Sequence, residues 1–124
     1  MKKILVYDND QDTLEVMAIL LDMYNYSVTT KAHCINIIQD ATELQPDLII
    51  IDLYMPGMDG ECAVQLLKQT VATSSIPVLL FSACDKIEKI AGDSQFDGYI
   101  KKPFNVDDVL TTIEDTIRPR SNIN

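Results

Sequence analysis

Residues 48–51 are four apolar side chains in a row (Leu-Ile-Ile-Ile), closed by Asp52, and this run constrains the fold more than any other stretch. A strand covered on one face alternates apolar and polar side chains, whereas a strand buried on both faces reads as unbroken. Strands of the second kind belong to parallel sheets sandwiched between helices. Asp52 ends the run with a charge, and the Pro56-Gly57 loop that follows cannot continue a ladder. Open α/β sheets take their ligands at the carboxyl ends of strands, which makes Asp52 a candidate reaction residue. An aspartate that only caps a turn is the plain alternative.

The rest of the chain alternates strand and helix signals. Lys3 to Tyr7 is a β-type run, and Asn9 or Asp10 could cap a helix extending to about Tyr24. Leu14, Met17, Ala18 and Leu21 line one face of that helix, while Val16, Ile19, Leu20 and Met23 form a second apolar stripe. Tyr26 to Thr30 predicts a short strand. Ile35, Ile38 and Ala41 mark a second helix ending near Leu44, before the Gln45-Pro46 break. A helix over about Gly60 to Gln69 carries Ala63, Leu66 and Leu67 inward. Val78 to Phe81 is a fourth strand, ending at Ser82-Ala83, and Asp85 to Ala91 a short helix. Tyr99 to Lys101 is a fifth strand, closed by Lys102-Pro103-Phe104. The last helix runs from about Asn105 to Ile117, with Val106, Val109, Leu110, Ile113 and Ile117 inward. Five strands alternating with five helices predict a flavodoxin-like, doubly wound α/β domain with a parallel sheet in the order 2-1-3-4-5. The domain is expected over 1–118, with 119–124 a short tail and no output domain.

A net charge of -9 argues against nonspecific nucleic-acid or anionic-membrane binding, both of which need a basic footprint. No apolar run reaches membrane-span length, and the Met-Lys-Lys start is not a signal peptide, so a cytoplasmic protein is expected. The three cysteines (34, 62 and 84) form no CxxC pair, which points away from a zinc site or a disulfide framework. Cys62 and Cys84 are expected in or near the core as small apolar residues. His33, the single histidine, reads as exposed.

In the 2-1-3-4-5 order the crevice opens above strands 1 and 3, so Asp8-Asn9-Asp10 and Asp52 should meet. Clustered carboxylates repel unless a cation joins them, and hard oxygen ligands in a small open site suit Mg²⁺. Strand 4 adds the Ser82 hydroxyl and strand 5 the Lys102 ammonium. A carboxylate nucleophile, a dication, a hydroxyl and a lysine are the parts that form and hold an acyl phosphate.

Four motifs in order carry a family resemblance: Ile4-Leu-Val-Tyr-Asp8-Asn-Asp10, Ile50-Ile-Asp52-Leu-Tyr-Met-Pro56-Gly-Met-Asp-Gly60, Leu80-Phe-Ser82-Ala83 and Gly98-Tyr99-Ile-Lys-Lys102-Pro103-Phe104. Over about Lys2 to Ile117 the chain resembles a response-regulator receiver domain, the module of two-component signalling phosphorylated by histidine kinases or histidine phosphotransfer proteins. The resemblance implies Asp52 as phosphoacceptor. It implies Mg²⁺ held by Asp8 (through a water), Asn9, Asp52 and the backbone carbonyl of Tyr54. Ser82, with Ala83 beside it, would contact the phosphoryl group, as would Lys102. Tyr99 would be the aromatic that swings inward, an edge-strand tyrosine with no such role being its alternative. The Lys102-Pro103 bond is expected to be cis by resemblance alone. Val16, Ile19 and Leu20, with Pro103 and Phe104, would dock a helical phosphodonor; a second packing contact or a patch between copies is the other reading of that stripe.

Three departures matter. Asn9 stands where the family usually has its second acidic residue. At an effective dielectric near 20, a unit pair about 4 Å apart is worth roughly 4 kcal/mol gross, partly offset by desolvation, so Mg²⁺ binding should weaken rather than vanish. The stretch from Asp85 to Asp97 looks short, which affects the surface between the fourth and fifth helices where receivers commonly read out their state. Lys101 adds a second lysine and reads as the solvent-side neighbour of Lys102. The leading expectation is a stand-alone phosphoacceptor switch that changes binding of a downstream protein target or passes the phosphoryl group on, not a metabolic enzyme. The alternative is a pseudo-receiver, a phosphorylation-independent interaction module. A flavin carrier on the same topology is set aside, because Asp8, Asp10 and Asp12 would repel its phosphate.

Overall fold

A computed structural model describes residues 1–118, and the expected tail over 119–124 lies outside the described residues. Among the described residues there are five strands and five helices: β1 (Lys3–Tyr7), α1 (Gln11–Met23), β2 (Ser27–Lys31), α2 (Ile37–Leu44), β3 (Leu48–Asp52), α3 (Gly60–Gln69), β4 (Val78–Ser82), α4 (Ile87–Asp93), β5 (Gly98–Lys101) and α5 (Val106–Ile117). All strand pairs are parallel and the sheet order is β2-β1-β3-β4-β5. This is the flavodoxin-like arrangement. Every residue of β3 and β4 is buried, as the unbroken apolar runs require.

The core divides across the sheet. Ile4, Val6, Ile50, Leu79 and Phe81 face α1 and α5, through Leu14, Met17, Leu21, Val109 and Ile113. Leu5, Tyr7, Ile49 and Ile51 face α2 and α3, through Ile37, Ala41, Ala63, Val64 and Leu67. Leu53 and Leu80 receive α4 through Ile87 and Ala91. Alternate side chains of one strand thus hold helices on opposite faces.

Several boundaries and orientations differ from the sequence reading. β2 starts one residue later, because the Tyr26 amide donates to Leu21 O (3.0 Å) and completes the turn after α1. Asn25, in the left-handed region at φ 69°, makes that turn. α2 is phased by Ile37 and Ala41, one turn apart, which leaves Ile35 61% exposed in the preceding loop. α4 begins at Ile87, two residues after the expected start, since Lys86 holds the non-helical cap position (ψ 21°). Val64, not Leu66, is buried on α3. Val106, expected inward, is exposed in the first turn of α5. Cys62 is exposed and Cys84 half-buried, so Cys34 is the one core cysteine.

Candidate functional site

Parallel strands end together on one side of the sheet, and here the ends of β1, β3, β4 and β5 are chemically distinct. Asp8 follows β1 directly and is fully buried. Its amide donates to Lys31 O (3.2 Å), and its Oδ1 accepts the Asp10 amide (2.9 Å). Asp52 closes β3 at 6% exposure. Its Oδ1 accepts the Tyr54 amide at 3.3 Å. Gly60 is required behind it: a Cβ there would lie 2.8 Å from the Asp52 carbonyl oxygen. The start of α3 therefore touches the backbone that carries Asp52, and the Asp59 side chain caps that helix by accepting the Cys62 amide at 2.9 Å.

Lys102, after β5, brings the strand ends together. Its Nζ lies 2.7 Å from Asp8 Oδ2 and 3.6 Å from Asp52 Oδ2, so both carboxylates face one point. It also sits 4.6 Å from the centroid of the Phe81 ring, a cation–π contact that fixes the ammonium from below. Its amide donates to Ser82 O at 2.9 Å, tying β5 to β4 at the site. Lys101 is half exposed and pairs with Asp85 at 3.8 Å instead. Two carboxylates against one ammonium leave a net negative charge in a buried setting. Burial raises the Asp52 carboxyl above its ordinary value; Lys102 opposes this and Asp8 adds to it.

Ser82 is buried at the end of β4, and its Oγ accepts the Cys84 amide at 3.1 Å. Ala83 is exposed beside it. Tyr99 is 37% exposed on β5, an edge strand. The Lys102-Pro103 peptide is cis. Pro103 is exposed, whereas Phe104 is half-buried and stacks at a tilt on Phe81, with ring centroids 5.6 Å apart. On α1, Val16 and Ile19 are exposed, at 49% and 64%. Leu20 corrects the expected docking stripe: it is 8% exposed and packed in the core on the α1 and α5 side of the sheet, because it continues the inward face set by Leu14, Met17 and Leu21.

The groups expected to hold a cation, namely the Asp8 and Asp52 carboxylates, the Tyr54 carbonyl and the Asn9 amide, are all oxygen donors. That chemistry fits a hard dication such as Mg²⁺, with one charge fewer than three carboxylates would give. No group of three or more His, Cys, Asp or Glu side chains able to hold a metal occurs among the described residues. One oxygen of the Asp10 carboxylate, Oδ2, is directed to the α1 cap, accepting Thr13 Oγ1 (2.6 Å) and the Thr13 amide (3.3 Å).

The sequence reading missed Tyr7. This fully buried side chain donates its hydroxyl to Asp40 Oδ2 on α2 at 2.8 Å, and burial, aided by Asp40, raises its phenol far above the ordinary value. A tyrosine inside an apolar strand implies a polar partner, and that was the available signal.

A family model for the response regulator receiver domain matches residues 4–114, and the chain belongs to this family, the receiver domains of two-component response regulators. It is 38% identical over 120 residues to the DNA-binding dual master transcriptional regulator RpaA of Synechocystis, covering 95% of this chain and 50% of that protein. It is 33% identical over 119 residues to the nisin biosynthesis regulatory protein NisR of Lactococcus lactis, with 94% and 50% covered. The chain thus spans about half the length of these curated relatives. Among solved structures, the chemotaxis response regulator CheY4 of Vibrio cholerae matches with a TM-score of 0.85 at 25% identity, covering 94% of this chain and 98% of that one. The receiver domain of a Pseudomonas aeruginosa sensor histidine kinase, with a magnesium ion coordinated in its active-site cleft, matches in fold with a TM-score of 0.86 at 20% identity, covering 95% and 98%.

Proposed function

We propose that this receiver accepts a phosphoryl group on Asp52 from a histidine kinase or a histidine phosphotransfer protein, and thereby changes its affinity for a downstream protein in the cytoplasm. The observation that carries the reading is the convergence of Asp8 and Asp52 on Lys102 Nζ, at 2.7 and 3.6 Å. An Asp52 carboxylate oxygen attacks the phosphorus of a phosphohistidine; the O–P bond forms as the P–N bond breaks, and the imidazole leaves. Lys102 holds a phosphoryl oxygen by its ammonium, and the Ser82 hydroxyl donates to another. Mg²⁺, when bound by Asp8, Asn9, Asp52 and the Tyr54 carbonyl, supplies neutralising charge for the phosphoryl oxygens. The chain acts as a phosphoacceptor with self-catalysed transfer and hydrolysis, not as a metabolic enzyme. The acidic balance of -9 speaks against nucleic-acid contact by the receiver portion alone. The relatives named as DNA-binding are about twice as long, so the expectation of no nucleic acid is confined to that portion.

Asn9 favours a second reading, an interaction module that does not depend on phosphorylation. The two separate in one experiment. Incubation with acetyl phosphate and Mg²⁺, followed by intact mass, should add one phosphoryl group to the wild type and none to Asp52→Asn. Asn9→Asp should lower the Mg²⁺ concentration for half-maximal uptake by about ten-fold, the equivalent of 1.4 kcal/mol. A wild type that takes no phosphoryl group at saturating Mg²⁺, with uptake restored in Asn9→Asp, selects the second reading.

A further inference from the structure

Asp40, on α2, touches none of the groups at the phosphoryl site, yet its two oxygens tie down both strands that position Asp8. Oδ2 accepts the Tyr7 hydroxyl at 2.8 Å, and Oδ1 lies 3.7 Å from Lys31 Nζ. Tyr7 and Lys31 are the last residues of β1 and β2 and face each other in the parallel register. The next peptide along β1 is that of Asp8, whose amide donates to Lys31 O at 3.2 Å. The links close a ring: Asp40 to Tyr7, Tyr7 to Asp8 by the chain, Asp8 to Lys31 by the amide, and Lys31 back to Asp40. β2 is an edge strand of five residues, and at its carboxyl end it has β1 alone as a sheet neighbour. Ladder bonds at such an end open readily unless a side chain clamps them. The clamp here is well suited: the Tyr7 hydroxyl is sealed from water and meets a carboxylate that is itself only 15% exposed.

We infer that Asp40 is a positioning residue: through Tyr7 and Lys31 it fixes the carboxyl end of β1, and so holds the buried Asp8 carboxylate against Lys102. The inference rests on the reading of Asp8 as part of the phosphoryl site. It assigns to α2 a role in cation binding across the sheet edge, where the α2 sequence shows only an amphipathic helix.

The test compares Asp40→Ala, Tyr7→Phe and Asp40→Asn with Thr73→Val, which removes a buried hydroxyl bond to Leu67 O (2.7 Å) elsewhere in the fold. Two quantities are read by NMR well below every unfolding midpoint: hydrogen exchange of the Asp8 amide, and the Mg²⁺ affinity from titration. Asp40→Ala and Tyr7→Phe should speed Asp8 exchange and weaken Mg²⁺ binding by about ten-fold each, the usual scale for removing the support of a metal ligand. Exchange at Ile50, in the middle of β3, should stay as in the wild type. Asp40→Asn keeps an acceptor for Tyr7 and should recover most of both. Thr73→Val should lower the unfolding midpoint and move neither quantity. The inference is overturned if Asp40→Ala and Tyr7→Phe behave like Thr73→Val, losing stability with Asp8 exchange and Mg²⁺ affinity unchanged. Failure of the functional reading is a different result: a wild type that binds Mg²⁺ yet takes no phosphoryl group.

Discussion

Burial of Asp52 at 6% exposure raises its carboxyl above the ordinary value of 3.8, with Lys102 opposing and Asp8 adding to the effect. The folded protein therefore holds that proton more tightly than the unfolded chain does. Stability from this group is complete below 3.8 and is lost as pH rises through the raised value of Asp52, after which the ionised carboxylate stays destabilising. Asp52→Asn removes the charge while Lys102 keeps Asp8. In chelator-treated buffer at pH 7 it should be more stable than the wild type by about 0.5–2 kcal/mol, the common gain when a strained functional group is relieved. Urea melts across pH check the sign: the difference should shrink as pH falls below the ordinary carboxylate value. A variant that is less stable at neutral pH would contradict the account. Asn9 belongs to the same scale. Its substitution for an acid was legible from its place after Asp8, but the commitment of Asp10 to the α1 cap was settled only by the Thr13 contacts.

Among the elements, the first residue of α3 lies directly against the backbone at the end of the strand before it. Gly60→Ala would set a methyl 2.8 Å from the Asp52 carbonyl oxygen and 3.1 Å from Leu53 Cα, both backbone atoms that cannot rotate away. The expected loss is about 1–3 kcal/mol by thermal or urea unfolding, since overpacking forces the helix start or the β3 end to shift. An unchanged midpoint would show that this junction yields freely. The strands were legible because a doubly buried strand leaves no ambiguity: residues 48–52 and 78–82 read as they fold. Helix phase was harder. Ile35, Ile37 and Ile38 crowd one stretch, and only the docking of Ile37 and Ala41 against the sheet decides which faces in. Spacing sets Leu20 in the second stripe with Val16 and Ile19, but three residues after Met17 and beside Leu21 it falls within the core on the α1 and α5 side of the sheet. The α4 start was missed because Lys86 carries no capping side-chain bond to mark it. The contribution of Tyr7 and Asp40, 33 residues apart, depends on where α2 lands on the sheet.

For the whole molecule, the exposed part of the α1 stripe expected to dock a phosphodonor is narrower than the α1 sequence implies. Val16 and Ile19 stay exposed, Leu20 is buried, and no Lys or Arg occurs between Gln11 and Met23. Ile19→Ser should slow transfer from a phosphorylated donor protein several-fold, while leaving acetyl phosphate uptake and stability within about 0.5 kcal/mol of wild type. Leu20→Ser should instead lower stability by about 2–5 kcal/mol, as loss of a core leucine does. Equal effects of the two on protein-donor transfer, without a stability difference, would restore the broader stripe. The central claim is that the ends of four parallel strands converge to make Asp52 a phosphoacceptor. It is tested most directly by locating the phosphoryl group: phosphorylate the wild type with acetyl phosphate and Mg²⁺, reduce the acyl phosphate with borohydride, and sequence the peptides by mass spectrometry. One hydride displaces phosphate at the acyl carbon to give an aldehyde and a second reduces that to the alcohol, so residue 52 should read as homoserine. Homoserine at Asp8, Asp10 or Asp59 with residue 52 intact would contradict the account.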